Sequence, residues 1–151
     1  MKAFFVEEND GSFQSRDLEK PIPESNQVVV KISHAGVNPL DTKIRSGNGT
    51  HAKQPLPAVL GMDMAGVVES VGADVQQIRP GDEVFGMVGG VGGLQGTLAE
   101  YIAVDSSLLA RKSNKLSMRE AAALPLVAIT AWEGLVDRAE VRKNDRVLIH
   151  A

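Results

Sequence analysis

The chain has 151 residues, of which 43% are hydrophobic and 23% are charged, and these values are typical of a globular domain with its own core. Its formal charge of −3, with Lys and Arg scattered, gives no reason to expect a nucleic acid partner. It contains no cysteine, which excludes a disulfide framework, thiolate chemistry and Cys-ligated zinc. The N-terminus turns acidic too early for a signal peptide and the longest apolar run is too short for a membrane span, so we expect a cytoplasmic protein with no membrane partner.

Residues 1 to about 105 are predicted to be mostly β. Short apolar, β-branched segments alternate with Gly- and Pro-containing turns, as in KAFFV, NQVVVKIS, AGVVESVG, DEVFGMV and TLAEYIAV. Many short strands with such turns indicate an antiparallel barrel or sandwich. Pro80-Gly81 is predicted to form a tight turn, in which Asp82 has a sufficient structural role.

The predicted secondary structure changes from strands to helices after about residue 113. Ser117 and Glu120 have the spacing of a capping box at a helix N-terminus, and Pro125 is predicted to end that helix or to start a second one. Residues 127–139 follow as a helical stripe. The last segment, NDRVLIHA, is typical of a turn and a strand buried in a parallel sheet. Because such a strand needs a sheet to join, we expect the chain to be a fragment of a longer protein.

The glycine-rich segment from Gly86 to Gly96 resembles a nucleotide-binding loop only superficially. A dinucleotide fingerprint that begins at Gly90 and Gly92 would need glycine at position 95, which is Gln95. The segment also leads into a predicted strand, where a phosphate-binding helix should begin. We therefore predict a flexible connection here, with a lobe that covers the substrate as the alternative.

The stretch HAGVNPLDTKIRSG, residues 34–47, mixes turn formers with apolar residues and is predicted to be a core-packed turn. Asn38 and Asp41 either bond local backbone amides and shape this turn, or line a pocket and bind polar groups of a ligand. A metal site is not predicted, because His34, His51 and His150 share no ligand spacing. The residues alone leave both interpretations of Asn38 and Asp41 open.

Five segments taken together resemble the medium-chain dehydrogenase/reductase superfamily, and most closely its zinc-independent quinone oxidoreductase branch. They are KISHAGVNPLDTKIRSG, PLPAVLGMDMAGVVESVGADV, RPGDEVFG, GTLAEYIAV and AAALPLVAITAWEGL, in that order. The resemblance implies a mainly β fold with some α, a GroES-like bent β-barrel catalytic domain, over residues 1–125. It also implies that residues 126–151 form a connecting helix and the first strand of a Rossmann cofactor domain that is otherwise absent.

The resemblance also implies roles for individual residues. Asn38 borders the nicotinamide end of the cofactor, with Asp41 supporting the catalytic loop and Thr130 as a second cofactor contact. Met62 and Asp63 fall in the substrate pocket, at positions where zinc-dependent members carry His and Glu, and Asn38 replaces a cysteine ligand. Since methionine and asparagine are poor zinc ligands, we expect no bound zinc.

Lys43 is the remaining residue that the resemblance places in the substrate pocket. Many quinone reductases have a tyrosine at this position, so a flat aromatic platform is lost here. Simple quinones are for that reason less certain as the acceptor. Lys43 either favours an anionic group on the ligand or is an ordinary solvated lysine.

The activity that the resemblance implies is hydride transfer from NADPH to a small-molecule quinone, enone or enal. Such a reaction needs the two reactants held face to face and a hydrogen bond to the developing oxyanion. We expect the full-length protein to be a homodimer and the 151-residue chain alone to be inactive. The alternatives are a non-catalytic GroES-like binding module and, less favoured, a zinc-type alcohol dehydrogenase.

Overall fold

A computed structural model describes residues 1–150 of the chain. Antiparallel strands dominate up to residue 111 and helices follow, as the sequence predicts. The strands are β1 Lys2–Val6, β2 Gln14–Asp17, β3 Gln27–Ala35, β4 Ala58–Val59, β5 Asp63–Val71, β6 Glu83–Met87, β7 Tyr101–Asp105 and β8 Ala110–Arg111. The helices are α1 Pro39–Arg45, α2 Met118–Ala122 and α3 Pro125–Trp132, with a 3₁₀ turn at Ser106–Leu108 and a π-helical segment at Glu133–Arg138.

The strands form two antiparallel sheets. The smaller has the order β2-β1-β4 and the larger has the order β7-β3-β5-β6-β8. Strands β3 and β5 lie at the centre of the larger sheet, and their pairing is interrupted by two register shifts that bend them. The fold is therefore mainly β with a few helices, and it is the GroES-like architecture that the resemblance implies.

Two hydrophobic clusters fill the interior. The larger lies within the five-stranded sheet and contains Val28, Val30, Met64, Val68, Ile78, Val84, Val88, Ile102 and Val104. The second joins the three-stranded sheet to helix α1 and contains Val6, Ile44, Ala58, Leu60 and Met62. Helix α2 packs through Ala121 and Ala122 onto Ala65 of β5, where small side chains allow a close approach.

The predicted signals at Pro80-Gly81 and Ser117 are confirmed. Gly81 has a φ of +92°, and the backbone amide of Arg79 donates to Asp82 Oδ2 at 3.0 Å, which closes the turn. Ser117 caps α2 and accepts from the backbone amide of Glu120 at 3.2 Å, while its own amide donates to Glu120 Oε2. Pro125 is the first residue of α3, so the second of its two predicted roles is the correct one.

The stretch at residues 34–47 is not a turn throughout, because Pro39–Arg45 forms helix α1. Pro39 occupies the first helical position, where its fixed φ is favourable and its missing N–H is not needed. Asn38 is the N-cap residue, and Ile44 buries its side chain in the second hydrophobic cluster. The turn formers therefore mark the start of a short amphipathic helix.

The predicted strand in NDRVLIHA is not formed in the part of this segment that the structure describes. Val147, Leu148 and Ile149 are 49%, 81% and 75% exposed. A strand needs a hydrogen-bonded neighbour, and none of residues 1–150 pairs with this segment. Ala151, the last residue of that prediction, lies outside the described residues.

None of the helices within residues 1–150 has both the length and the apolar character that a membrane crossing requires.

Candidate functional site

Three buried polar side chains converge beside helix α1. Asn38 is 6% exposed, Asp41 is 9% exposed, and Asp63 at the start of β5 is fully buried. Buried polar groups are costly unless they are hydrogen-bonded, so their partners decide what the cluster does. We refer to Asn38, Asp41 and Asp63 as the polar cluster.

Asp41 closes the first turn of α1. Its Oδ2 accepts from the backbone amide of Asn38 at 2.7 Å, and its own amide donates to the Asn38 carbonyl at 3.0 Å. The carboxylate also lies at the N-terminal end of the helix dipole, where negative charge is favoured. The local, turn-shaping role that the sequence allowed for Asp41 is present in the structure.

Asn38 differs, because its side chain reaches out of the turn. Its Nδ2 donates to Asp63 Oδ2 at 3.0 Å, across 25 residues of sequence. Asp63 in turn accepts from the backbone amide of Leu126, at 3.2 Å to Oδ1 and 3.1 Å to Oδ2. The polar cluster therefore joins the start of α1, the start of β5 and the start of α3.

Burial raises the pKa of both carboxyl groups. For Asp41 the main cause is desolvation; the backbone amide of Asn38 opposes it and the charge of Asp63 adds to it. Desolvation also raises the pKa of Asp63, against hydrogen bonds from Asn38 and Leu126 that favour the charged form. Within the described residues Asp41 Oδ1 has no hydrogen-bond partner, although the backbone amide of Met62 also acts to lower the pKa of Asp41.

A cavity of about 330 Å³ adjoins the polar cluster. Its volume is at the lower end of the range for small-molecule sites. Val37 lies at the cavity and is 75% exposed, and the Arg45 guanidinium lies 5.5 Å from the centroid of the Phe13 ring. The full lining is mostly apolar and consists of Phe13, Gly36, Val37, Asp41, Thr42, Arg45, Leu60, Gly61 and Leu98.

Of the predicted site residues only Asp41 lines this cavity; Asn38 and Asp63 lie behind it, and Lys43, Met62 and Thr130 are not part of its lining. Lys43 is exposed, as a solvated lysine is. Met62 is 2% exposed and packs in the second hydrophobic cluster. Thr130 is exposed on α3, and its hydroxyl donates to the Leu126 carbonyl at 2.8 Å. Their roles towards a ligand stay predictions.

The glycine-rich segment makes hydrogen bonds to Gln54, and its predicted flexibility stays a prediction. The backbone amide of Gly93 donates to Gln54 Oε1 at 2.9 Å, and Gln54 Nε2 donates to the Leu94 carbonyl at 2.8 Å. Gly90 has a φ of +72° and lies so close to Gly61 that an added Cβ would be 2.4 Å from the Gly61 carbonyl oxygen. These glycines provide close backbone approach and left-handed geometry.

The donor atoms of the polar cluster do not suit zinc. Asn38, Asp41 and Asp63 offer one amide and two carboxylates, and the neighbouring Met62 adds only a thioether, so the imidazole and thiolate ligands that zinc prefers are missing from the set. Both oxygens of the Asp63 carboxylate already accept hydrogen bonds. Residues 1–150 contain no group of three or more His, Cys, Asp or Glu side chains placed to hold a metal ion.

Two parts of this site were missed by sequence reasoning. The first part is the Leu126 amide, which is a backbone group and has no side-chain signature in the sequence. The only indication that this amide needs an acceptor is Pro125, which marks the helix start and has no N–H of its own to donate. Phe13 and Arg45 meet only because the loop before β2 folds onto α1, where Arg45 donates to the Asp10 and Gly11 carbonyls. Neither contact has a local sequence pattern.

The bent antiparallel barrel with a buried polar cluster at its helical end defines a GroES-like β domain. Residues 24–114 match the alcohol dehydrogenase GroES-like domain, and the chain belongs to this family, within the medium-chain dehydrogenase/reductase superfamily.

Proteins similar to the chain include enzymes with several names. It is 46% identical over 133 residues to a 2-methylene-furan-3-one reductase of Solanum lycopersicum, covering 85% of this chain and 34% of the relative. It is 38% identical over 143 residues to a zinc-type alcohol dehydrogenase-like protein of Staphylococcus aureus, covering 95% and 41%. The chain thus spans well under half the length of these relatives.

Solved structures show the same fold. An alcohol dehydrogenase superfamily protein from Novosphingobium aromaticivorans superposes with a TM-score of 0.92 at 59% identity, over 94% of this chain and 43% of that one. A quinone oxidoreductase of Escherichia coli complexed with NADPH superposes with a TM-score of 0.76 at 26% identity, over 92% and 41%.

Proposed function

We propose that the full-length protein is a zinc-independent, NADPH-dependent reductase of quinones or α,β-unsaturated carbonyl compounds. The observation that carries this proposal is the mostly apolar cavity beside a polar cluster of one amide and two carboxylates, which contains neither His nor Cys. The similarity to a 2-methylene-furan-3-one reductase and to a quinone oxidoreductase with bound NADPH supports the same class of chemistry.

The apolar cavity suits a conjugated acceptor. Phe13, Leu60 and Leu98 offer hydrophobic contact to a flat, uncharged molecule. Such an acceptor is already activated by conjugation, so the protein has to orient it and to stabilise the developing oxyanion. No Lewis acid is required for this reaction, in contrast to the oxidation of a simple alcohol.

NADPH would supply the hydride, and Asn38 and Thr130 are the residues proposed to hold its nicotinamide end. The geometry is compatible with this assignment for Asn38, whose position is fixed by Asp63 directly beside the cavity-lining residues Gly36 and Val37. Thr130 retains acceptor capacity on its hydroxyl, which donates only to the Leu126 carbonyl. Met62, Asp63 and Lys43 stay proposed residues of the substrate pocket. Met62 and Asp63 would support the pocket wall from beneath its surface.

The organisation of the longer protein is part of the same proposal. Residues 1–125 would be the catalytic domain, and residues 126–151 would lead into a Rossmann cofactor domain, which fits relatives more than twice as long. Residues 1–151 alone would not catalyse the reaction, since the proposed cofactor domain would be needed to bind NADPH. A cytoplasmic location and a homodimeric assembly complete the proposal.

The test is NADPH oxidation by the full-length protein, after exhaustive chelation, against a panel of quinones, enones and enals. We expect turnover that survives chelation, with metal content by mass spectrometry well below one equivalent. Activity that is lost on chelation and restored by Zn²⁺ would favour the zinc-type alcohol dehydrogenase to which the chain is also similar. No turnover with any acceptor, and no NADPH binding, would favour a GroES-like binding module.

A further inference from the structure

Asp63 contacts two parts of the molecule that are distant in sequence. It is fully buried at the start of β5, and its carboxylate accepts from the Asn38 side chain and from the Leu126 backbone amide. These partners lie 25 residues before it and 63 residues after it. One carboxylate therefore links the start of α1 to the start of α3.

Helix α3 needs an acceptor at its N-terminus. Leu124 is the N-cap residue and makes no side-chain capping hydrogen bond, and Pro125 has no amide hydrogen. Leu126 therefore carries the first backbone N–H of helix α3. Asp63, on strand β5, supplies the carboxylate that accepts from this N–H and so caps the helix. Its negative charge also lies at the positive end of the helix dipole.

The rest of α3 has little else to fix its orientation within the described residues. Leu126 packs against the second hydrophobic cluster, but Val127, Ile129 and Trp132 are 49%, 50% and 63% exposed. The buried Pro125, the Leu126 side chain and the Leu126 amide all lie in the first turn, which is thus the anchor of α3 on the barrel.

We infer that Asp63 is a positioning residue, which fixes α3, and with it Thr130, relative to Asn38. This inference rests on the proposed function in so far as Asn38 and Thr130 bind the cofactor. Thr130 lies one helical turn beyond Leu126, and its hydroxyl donates to the Leu126 carbonyl, so the anchored residue and the proposed cofactor contact share one turn. Movement of Leu126 therefore displaces Thr130 directly.

The first variant is Asp63→Asn. Its one acceptor oxygen can take the place of Oδ2, which accepts from both Asn38 and Leu126, but the NH₂ group then replaces Oδ1 and faces the Leu126 amide, and the negative charge is lost. We expect the Leu126 amide to exchange with solvent deuterium about tenfold faster, measured by NMR, because a hydrogen bond to a charged acceptor is lost. The amide of Val30, in the barrel core, serves as an internal reference for global unfolding. Asp17→Asn makes the same chemical change at an exposed site.

A swap of the two side chains provides the decisive variant. Asn38→Asp alone directs two carboxylates at each other, and we expect it too to accelerate exchange at Leu126. In the double variant Asn38→Asp/Asp63→Asn, the amide at 63 donates to the carboxylate at 38 and its oxygen accepts from Leu126. Exchange at Leu126 should then return towards the wild-type rate. Additive effects of the two changes would overturn the inference. If Asp63→Asn alone does not fold, exchange at Leu126 in the double variant that is as fast as in Asn38→Asp overturns it instead.

The functional measurement is made on the full-length protein. We expect Asp63→Asn to raise KM for NADPH several-fold with a smaller change in kcat, because it displaces a binding contact and leaves the reacting groups in place. If the wild type fails to oxidise NADPH, the proposed function is wrong, and so is the proposal that Asn38 and Thr130 bind the cofactor. The exchange data still decide whether Asp63 holds α3. Unchanged exchange at Leu126 in Asp63→Asn overturns the inference at any level of activity.

Discussion

Asp41 carries a buried carboxylate oxygen without a hydrogen-bond partner among the described residues. Because burial raises the pKa of Asp41, the folded state binds a proton more tightly than the unfolded chain does. Its contribution to stability is therefore greatest below the unfolded pKa of about 3.9 and is lost as pH rises through the higher folded pKa. At neutral pH the charged Asp41 is a cost to the fold.

Asp41→Asn should remove this cost. The amide oxygen still accepts from the Asn38 backbone, and no charge is buried. We expect the variant to be more stable than the wild type by on the order of 1 kcal/mol at pH 7, with a difference that shrinks as the pH falls towards 4. Urea denaturation at several pH values measures this, with Asp17→Asn as the exposed control. A stability difference that does not change with pH would contradict the assignment.

The residues of the candidate site were only partly predictable from the sequence. The resemblance singled out Asn38, Asp41 and Asp63, and the structure brings these three together. Their connection to Leu126 could not be predicted, because it joins a side chain to a backbone amide 63 residues away. Lys43 was placed by its position in a motif, whereas the turn of α1 directs it to solvent.

At the scale of secondary-structure elements, the features that depend on neighbouring residues were predicted from the sequence. The capping box, the Pro-Gly turn and the strands all follow from short-range rules, and the structure confirms them. Helix α1 was missed because the turn formers Pro39 and Asp41 lie in its first turn, while its stability comes from burial of Ile44 against distant strands. The strand expected near residue 147 is not formed within the described residues, because a strand requires a partner, and its place in a cofactor domain stays a prediction.

The Ser117 cap gives a prediction for helix α2. Ser117→Ala removes the acceptor for the Glu120 amide, and we expect the free energy of unfolding to fall by about 1 kcal/mol. Ser117→Thr retains the hydroxyl and should lose only a small part of that. Thermal denaturation followed by circular dichroism compares the two. Equal losses in both variants would show that the cap hydrogen bond is not the cause.

The glycine-rich segment allows a matched pair of substitutions. Gly90 and Gly93 both have positive φ, +72° and +89°, but a Cβ on Gly90 would be 2.4 Å from the Gly61 carbonyl oxygen, while one on Gly93 has nothing within 4 Å. Gly93→Ala should therefore cost only the conformational strain of about 1 kcal/mol. Gly90→Ala adds a backbone clash and should cost about 3 kcal/mol or more. Urea denaturation measures the loss of stability in each variant. Similar losses in the two variants would mean that the segment shifts to accommodate the new Cβ, as a flexible connection would.

On the scale of the whole molecule, the barrel and the helical region differ in how their apolar residues are used. The β-branched residues of the barrel are buried in continuous clusters. The helical region instead leaves Val127, Trp132, Leu148 and Ile149 exposed. Apolar surface of this extent is typical of an interface, and we propose that the cofactor domain of the full-length protein covers it.

Trp132 reports on that surface, because it is the only tryptophan among residues 1–151 and is 63% exposed. In the 151-residue chain we expect strong quenching of its fluorescence by acrylamide and an emission maximum typical of solvated indole. In the full-length protein the signal of this residue, isolated as the difference from Trp132→Phe, should shift to shorter wavelength and resist quenching, because the proposed domain excludes water from the ring. Equal quenching in both proteins would show that the domain binds elsewhere on the barrel, and the proposed cofactor cleft beside α3 would have to be abandoned.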